Sequence, residues 1–316
     1  MVGERLAQRR SRDKVSRTRA FLGLRFTKMT MAQREALEGY IAISPWIVGF
    51  IAFTGGPILA SLFLSFTRWP LIEPPEFTGL QNLIRLAGDP LVGQALKVTS
   101  LYTFGSVPLS IILGFTLALL LNQRVKGLAV WRTIYYLPAV VSGVAVAVVW
   151  VWVFQPEFGV LNTLLRYIGI EGPNWLFSRT WVIPSLILMS LWGAGGGIII
   201  YLSGLQGIPT EIYEAASIDG ANAVRRLFSI TVPMMTPVLF LQLVLGFIGS
   251  FQVFTSAYIM TRGGPGNASL FYVLYIYRNA FQYFEMGYAC ALSWVLTLVI
   301  VAVTLLLFWT AILGLL

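Results

Sequence analysis

Side chains able to do acid–base, nucleophilic or metal chemistry are scarce in this chain and lie away from its apolar stretches. There is no histidine and a single cysteine, Cys290. A structural or catalytic zinc site draws its ligands from several thiolates, imidazoles and carboxylates, so a His/Cys metal centre is excluded. One cysteine also closes no intrachain disulfide. None of the four lysines, Lys14, Lys28, Lys97 and Lys126, is followed by Ser or Thr, and a phosphate-binding loop needs Gly-Lys-Ser/Thr. The thirteen Asp and Glu residues all fall outside the long apolar stretches, which offer hydroxyls and amides but no imidazole and no carboxylate. Hydrolysis or acyl transfer inside a membrane needs a base or an activated nucleophile within reach. The expectation is no catalytic residue, no metal site and no cofactor bound by this chain. Proton-coupled transporters carry intramembrane Asp, Glu or His as relays, which are missing here. Broken helices can still offer backbone carbonyls to sodium, so an ion-coupled secondary transporter stands as an alternative.

The densest polar set inside an apolar stretch is Gly246, Gly249, Ser250, Gln252, Thr255 and Ser256, with Phe251 and Phe254 between them. Polar groups facing lipid are costly, so these line a pathway or bond to a neighbouring helix. Gly246 and Ser250 lie one turn apart; in a regular helix Gln252 points about 160° away from Ser250. The Gly246/Ser250 face is the expected pathway face. Gly193, Gly195, Gly196 and Gly197 in the preceding stretch allow close helix contact; packing and pathway roles are both open for them.

The elements holding these residues are membrane spans. The chain is 57% hydrophobic and 11% charged, against about 25% charged for a soluble domain. Crossing hydrocarbon takes roughly 20 apolar helical residues. Six stretches qualify, at about 41–66, 100–121, 133–154, 181–203, 233–260 and 288–313. The reading is an all-α integral membrane protein, with residues 1–40 a basic cytoplasmic arm and 41–316 the membrane domain. Thr30 and Gln33 have capping-box spacing for a helix leading into the first span. The charged start and the apolar stretch after it are both too long for a cleavable signal peptide. Residues 269–284, interrupted by Arg278 and Asn279, read as an aromatic helix at the interface.

The net charge of +9 could suggest nucleic acid, but ten of the 22 Lys/Arg lie in the first 34 residues. With the N-terminus inside, the arm and the 122–132 and 204–232 loops hold fifteen Lys/Arg, against seven in 67–99, 155–180 and 261–287. The positive-inside rule then predicts both termini in the cytoplasm, and no nucleic-acid partner is expected.

The largest internal loop, 204–232, reads as a helix–turn–helix elbow. Pro209 opens its first arm, Gly220 ends it in a left-handed turn, and Pro233 opens the fifth span. Glu211 and Glu214 on that arm can pair with cations. Glu214-Ala215-Ala216, then three residues, Gly220, nine residues, Ile230, one residue, and Val232-Pro233 resembles the EAA loop of ABC importer permeases. Further stretches resemble the maltose/glycerol-phosphate, carbohydrate-uptake branch of that family. These are Leu137-Pro138 with Trp150-Val151-Trp152, Gly159-Val160-Leu161-Asn162, Leu205-Gln206-Gly207-Ile208-Pro209 and Arg262-Gly263-Gly264-Pro265. The resemblance covers roughly 40–310, and Thr255 stands where many members have Asp.

The resemblance implies a type I ABC importer permease fold in a prokaryotic inner membrane. It implies a heterodimer with a second permease, two ATPase subunits holding ATP and magnesium, and an external solute-binding protein. Glu214, Ala215, Ala216, Asp219, Gly220, Ile230 and Pro233 would couple to an ATPase. Gly193, Gly246, Gly249, Ser250, Gln252, Phe254 and Thr255 are the candidate substrate contacts. Spans without Lys or Arg but rich in Trp and Tyr favour a neutral sugar or oligosaccharide. Glycerol phosphate is the alternative, with Arg262 or Arg278 at the outer mouth.

Overall fold

The computed structural model describes residues 30–123 and 127–314. Most of the basic arm, residues 1–29, and part of the 122–132 loop lie outside the described residues. Among the described residues, those up to Ala60 form one compact unit and those from Ser61 onward another. The first helix, α1 (Met31–Leu64), starts at the expected capping box: Gln33 N–H donates to Thr30 Oγ1 and Thr30 N–H to Gln33 Oε1.

In the second unit a two-residue ribbon, β1 (Thr67–Arg68) and β2 (Glu76–Phe77), precedes α2 (Gln81–Gly88) and α3 (Pro90–Leu121). Then come α4 (Leu128–Val140), α5 (Gly143–Val153), α6 (Val160–Tyr167), α7 (Val182–Trp192), α8 (Ile198–Gln206), α9 (Thr210–Ile218), α10 (Ala223–Phe251), α11 (Tyr272–Tyr277) and α12 (Met286–Ile312). Among the described residues four helices, α1, α3, α10 and α12, are each long and apolar enough to cross a membrane. Counting the bent pairs α4/α5 and α7/α8 as one span each gives up to six.

Helix α3 is the hub. Asp89 caps it by accepting from Leu91 N–H at 2.9 Å, and Pro90 supplies a first-turn residue that needs no partner. Its buried residues recur at helical spacing, through Val92, Ala95, Thr99, Tyr102, Ser106, Phe115, Ala118 and Leu121. That stripe packs on α7, α8 and α10. Two cores result. One gathers Tyr102, Phe247, Phe251, Phe271 and Tyr272; the other gathers Phe115, Tyr201, Leu205 and Met235.

Two expectations are corrected. The stretch 133–154 is not one straight helix, because Val141 and Ser142 take extended backbone and α4 meets α5 at 97°. The fifth span stops at Phe251 rather than 260; Gln252–Phe254 are irregular before a wide turn at Ala257–Thr261. Within 269–284, Tyr272, Leu274, Tyr275 and Asn279 are buried against α3 and α12.

Candidate functional site

The elbow forms as its local chemistry dictates, with two adjustments. Pro209 is the cap rather than the first helical residue, at φ −58° and ψ 133°, and α9 begins at Thr210. Its C-terminus closes as a Schellman motif. Ala221 N–H donates to Ala216 C=O at 2.9 Å and Gly220 N–H to Ser217 C=O at 3.1 Å, with Gly220 left-handed at φ +77°. The second arm does not stop before Pro233; it runs into the fifth span as one helix, α10, through a wide turn at Leu227–Thr231. Proline has no N–H to give its preceding turn, and the wide turn lies directly ahead of it.

The two arms are tied by Tyr213 to Thr231, hydroxyl to hydroxyl at 2.9 Å, and by Arg226 donating to Ser217 Oγ at 2.9 Å. Tyr213, Leu227 and Val232 pack on the second core. Glu214, Ala215, Asp219, Gly220 and Pro233 are exposed, while Ala216 and Ile230 are half-buried. Glu211 and Glu214 form no ion pair among the described residues.

Between the two cores lies a groove of about 460 Å³. Three ladders at one-turn spacing face it: Tyr102, Ser106 and Ser110 from α3; Gly193, Gly197 and Tyr201 from the α7/α8 bend; Gln242, Gly246 and Ser250 from α10. Among the described residues, no charged side chain lines it. The bend between α7 and α8 is a 3₁₀ turn over Ala194–Gly197. Its glycines differ in role. A Cβ on Gly195 would collide with the backbone carbonyl of Tyr135, and one on Gly197 with the Gln242 amide. Gly246 brings α10 against α3, since a Cβ there would sit 2.9 Å from Val107. Gly249 has open space. Ser250 and Ser190 donate to the carbonyls of Phe247 and Ile187, at 3.1 and 2.7 Å.

Of the candidate contacts, Gly193, Gly246, Gly249 and Ser250 meet at this groove. Gln252, Phe254 and Thr255 do not. The helix ends before them, Gln252 donates to Ile248 C=O at 3.1 Å, and Phe254 stacks on Tyr258 at 5.3 Å. Sequence reasoning missed Tyr102, Ser106, Ser110, Ser190, Tyr201 and Gln242. The signal for most of them was a polar or glycine position every fourth residue in three separate spans. Asn162, matched only as part of a motif, is a buried knot. It donates to the carbonyls of Pro156 and Pro173 and accepts from Trp175 Nε1.

Comparison with known proteins places this geometry. Residues 107–313 match the family model described as binding-protein-dependent transport system inner membrane component. A probable ABC transporter permease, YesP of Bacillus subtilis, is 43% identical over 90% of this chain and 93% of its own. The trehalose/maltose transport system permease MalF of Thermococcus litoralis is 34% identical over 80% of this chain and 85% of its own. A chain in the crystal structure of a bacterial ABC transporter that imports the acidic polysaccharide alginate superposes with a TM-score of 0.77 at 25% identity, covering 88% of this chain and 96% of that one. The chain belongs to the family of binding-protein-dependent transport system inner membrane components, the membrane permeases of ABC importers.

Proposed function

We propose that the chain translocates a sugar or oligosaccharide delivered by an external binding protein, and that ATP is hydrolysed on partner subunits. The groove carries this reading. Its three ladders offer hydroxyl, amide and aromatic groups and no charge. Such a lining can exchange hydrogen bonds with a hydroxyl-rich solute without trapping it as an ion pair would. Relatives named for trehalose/maltose and alginate transport support the same class of substrate.

In this reading a second permease closes the pathway, and two ATPase subunits hold ATP and magnesium. The exposed face of α9, with Glu214, Ala215 and Asp219, seats on one of them. Pro209 to Pro233 then moves as a packed lever, a rigid-body switch rather than a refolding event. Residues 1–40 form a cytoplasmic arm, 41–316 the permease domain, and both termini lie inside.

The test is reconstitution of this chain with its partner permease, ATPases and binding protein in proteoliposomes. Saturable uptake of a labelled oligosaccharide that requires both ATP and the binding protein is expected. Uptake driven by a sodium or proton gradient without ATP would overturn the assignment.

A further inference from the structure

Beyond the end of α10 lies a second polar pocket, separate from the groove. Tyr258, Arg262, Leu274, Arg278, Gln282 and Tyr283 enclose about 460 Å³. The part of α10 from Pro233 to Phe251, about 28 Å at the helical rise per residue, separates this pocket from the elbow.

Two of its side chains, Arg262 and Arg278, are guanidiniums. Arg85, by contrast, is held by Glu285 through two contacts at 2.9 and 2.8 Å. Arg262 and Arg278 form no ion pair among the described residues. The backbone positions them instead. Arg262 closes the wide turn Ala257–Thr261 in a left-handed conformation, φ +48°, which a residue with a side chain adopts rarely. Gly263 follows at φ +80°, and a Cβ there would lie 2.8 Å from Arg278 Nη2. The missing side chain at 263 makes room for Arg278, which donates from Nη2 to the Arg262 carbonyl. That uses one donor of a five-donor fork.

An aromatic run borders the pair. Phe254 stacks on Tyr258, Tyr258 meets Tyr277 edge-on, and Tyr277 tilts against Phe281, each at 5.3 Å between ring centres. Tyr258 belongs to both the run and the pocket. Aromatic faces accept the apolar C–H face of a sugar ring, and a guanidinium fork matches a carboxylate in shape and charge.

We propose that Arg262 and Arg278, with this aromatic run beside them, form an entry subsite for an acidic oligosaccharide. The guanidinium pair takes the carboxylate of one sugar while Tyr258 packs on its ring. The inference rests on the saccharide-permease reading and refines it. Selection for acid lies at the mouth of the pathway, apart from a groove whose lining is uncharged.

The test uses the full importer in nanodiscs and proteoliposomes, with trigalacturonate and galactotriose as probes. Saturation-transfer NMR on the importer without its binding protein reads direct binding. Trigalacturonate is expected to bind in preference to galactotriose. The Arg262→Gln/Arg278→Gln double variant is expected to weaken that binding by about tenfold or more, the scale of a lost charge-assisted hydrogen bond. Arg262→Lys/Arg278→Lys, which keeps the charges, retains part of it and controls for folding. Equal binding of the two probes by the wild type, or unchanged trigalacturonate binding by the Gln variant, overturns the subsite. If galactotriose is transported without any acid preference, the subsite falls and the permease reading stands. If neither probe binds or is transported, both are refuted for these sugars. If the Gln variant loses stimulation of ATPase by the binding protein but still binds trigalacturonate, the arginines meet a carboxylate of that protein instead.

Discussion

Ser250 and Gln252 are two residues apart yet face different surroundings. Ser250 lies in the groove with its hydroxyl one bond from its own helix, whereas Gln252 is exposed past the helix end and bonded to Ile248. At equal membrane abundance, Ser250→Leu is expected to lower uptake or raise its half-saturating substrate concentration, and Gln252→Leu to leave both nearly unchanged; transport assays on the two variants decide it. At the N-terminus of α3, Asp89 Oδ2 accepts from Tyr275 at 2.5 Å and Tyr288 at 2.7 Å. Burial opposes ionisation of Asp89, but these hydroxyls, the Leu91 N–H and nearby Arg85 together hold its carboxyl below the ordinary range. Burial and the same carboxylate push the Tyr275 hydroxyl up to about 12. Because the folded-state pKa of Asp89 is depressed, its contribution is present above the ordinary carboxylate pKa of about 4 and is lost as pH falls through the folded value. Asp89→Asn is therefore expected to melt at a lower temperature than wild type in detergent at pH 7, with the gap narrowing towards pH 3. A gap independent of pH would show that the charge adds nothing.

At the scale of elements, the elbow and the α7/α8 bend both depend on glycine, for different reasons. Gly220 has nothing within 4 Å of a built Cβ, so only its left-handed backbone constrains it. Gly220→Val strains that turn by about 1–2 kcal/mol without disturbing the core. Insertion is expected to persist while transport and binding-protein-stimulated ATPase fall together, as they should also for Glu214→Lys. Full coupled transport by both variants would remove the elbow from the mechanism. Gly195 is constrained by space: its Cβ would run into the Tyr135 carbonyl where α4 crosses the bend. Gly195→Ala is expected to reduce folded protein itself, visible as loss of the monodisperse peak in fluorescence-detected size exclusion. Gly249→Ala, with open space, is expected to leave that peak intact.

At the scale of the whole molecule, the orientation proposed from the charge count can be read by labelling. Cys290 is buried, so the native background reaction is small. Asn174 and Asn222 are both exposed; Asn174→Cys is expected to react with an impermeant maleimide in intact cells, and Asn222→Cys only after permeabilisation. The reverse pattern would invert the topology. The apolar stretches that form the long helices, the capping box at Thr30 and the turn at Gly220 were legible in the sequence by itself. Each depends on local chemistry or on apolar length set against bilayer thickness. Each ladder of the groove was also present in its own span, as a polar residue or glycine every fourth position. What only the tertiary structure decided is which ladders face one another, because helix rotation is set by contacts far apart in the chain. Gly197 lets Gln242 approach and Gly246 lets Val107 approach. Those two contacts turn Tyr102, Tyr201 and Ser250 towards one space. The same long-range packing buried Tyr272 and Tyr275 in a segment whose sequence carried no sign of which of its faces turns inward.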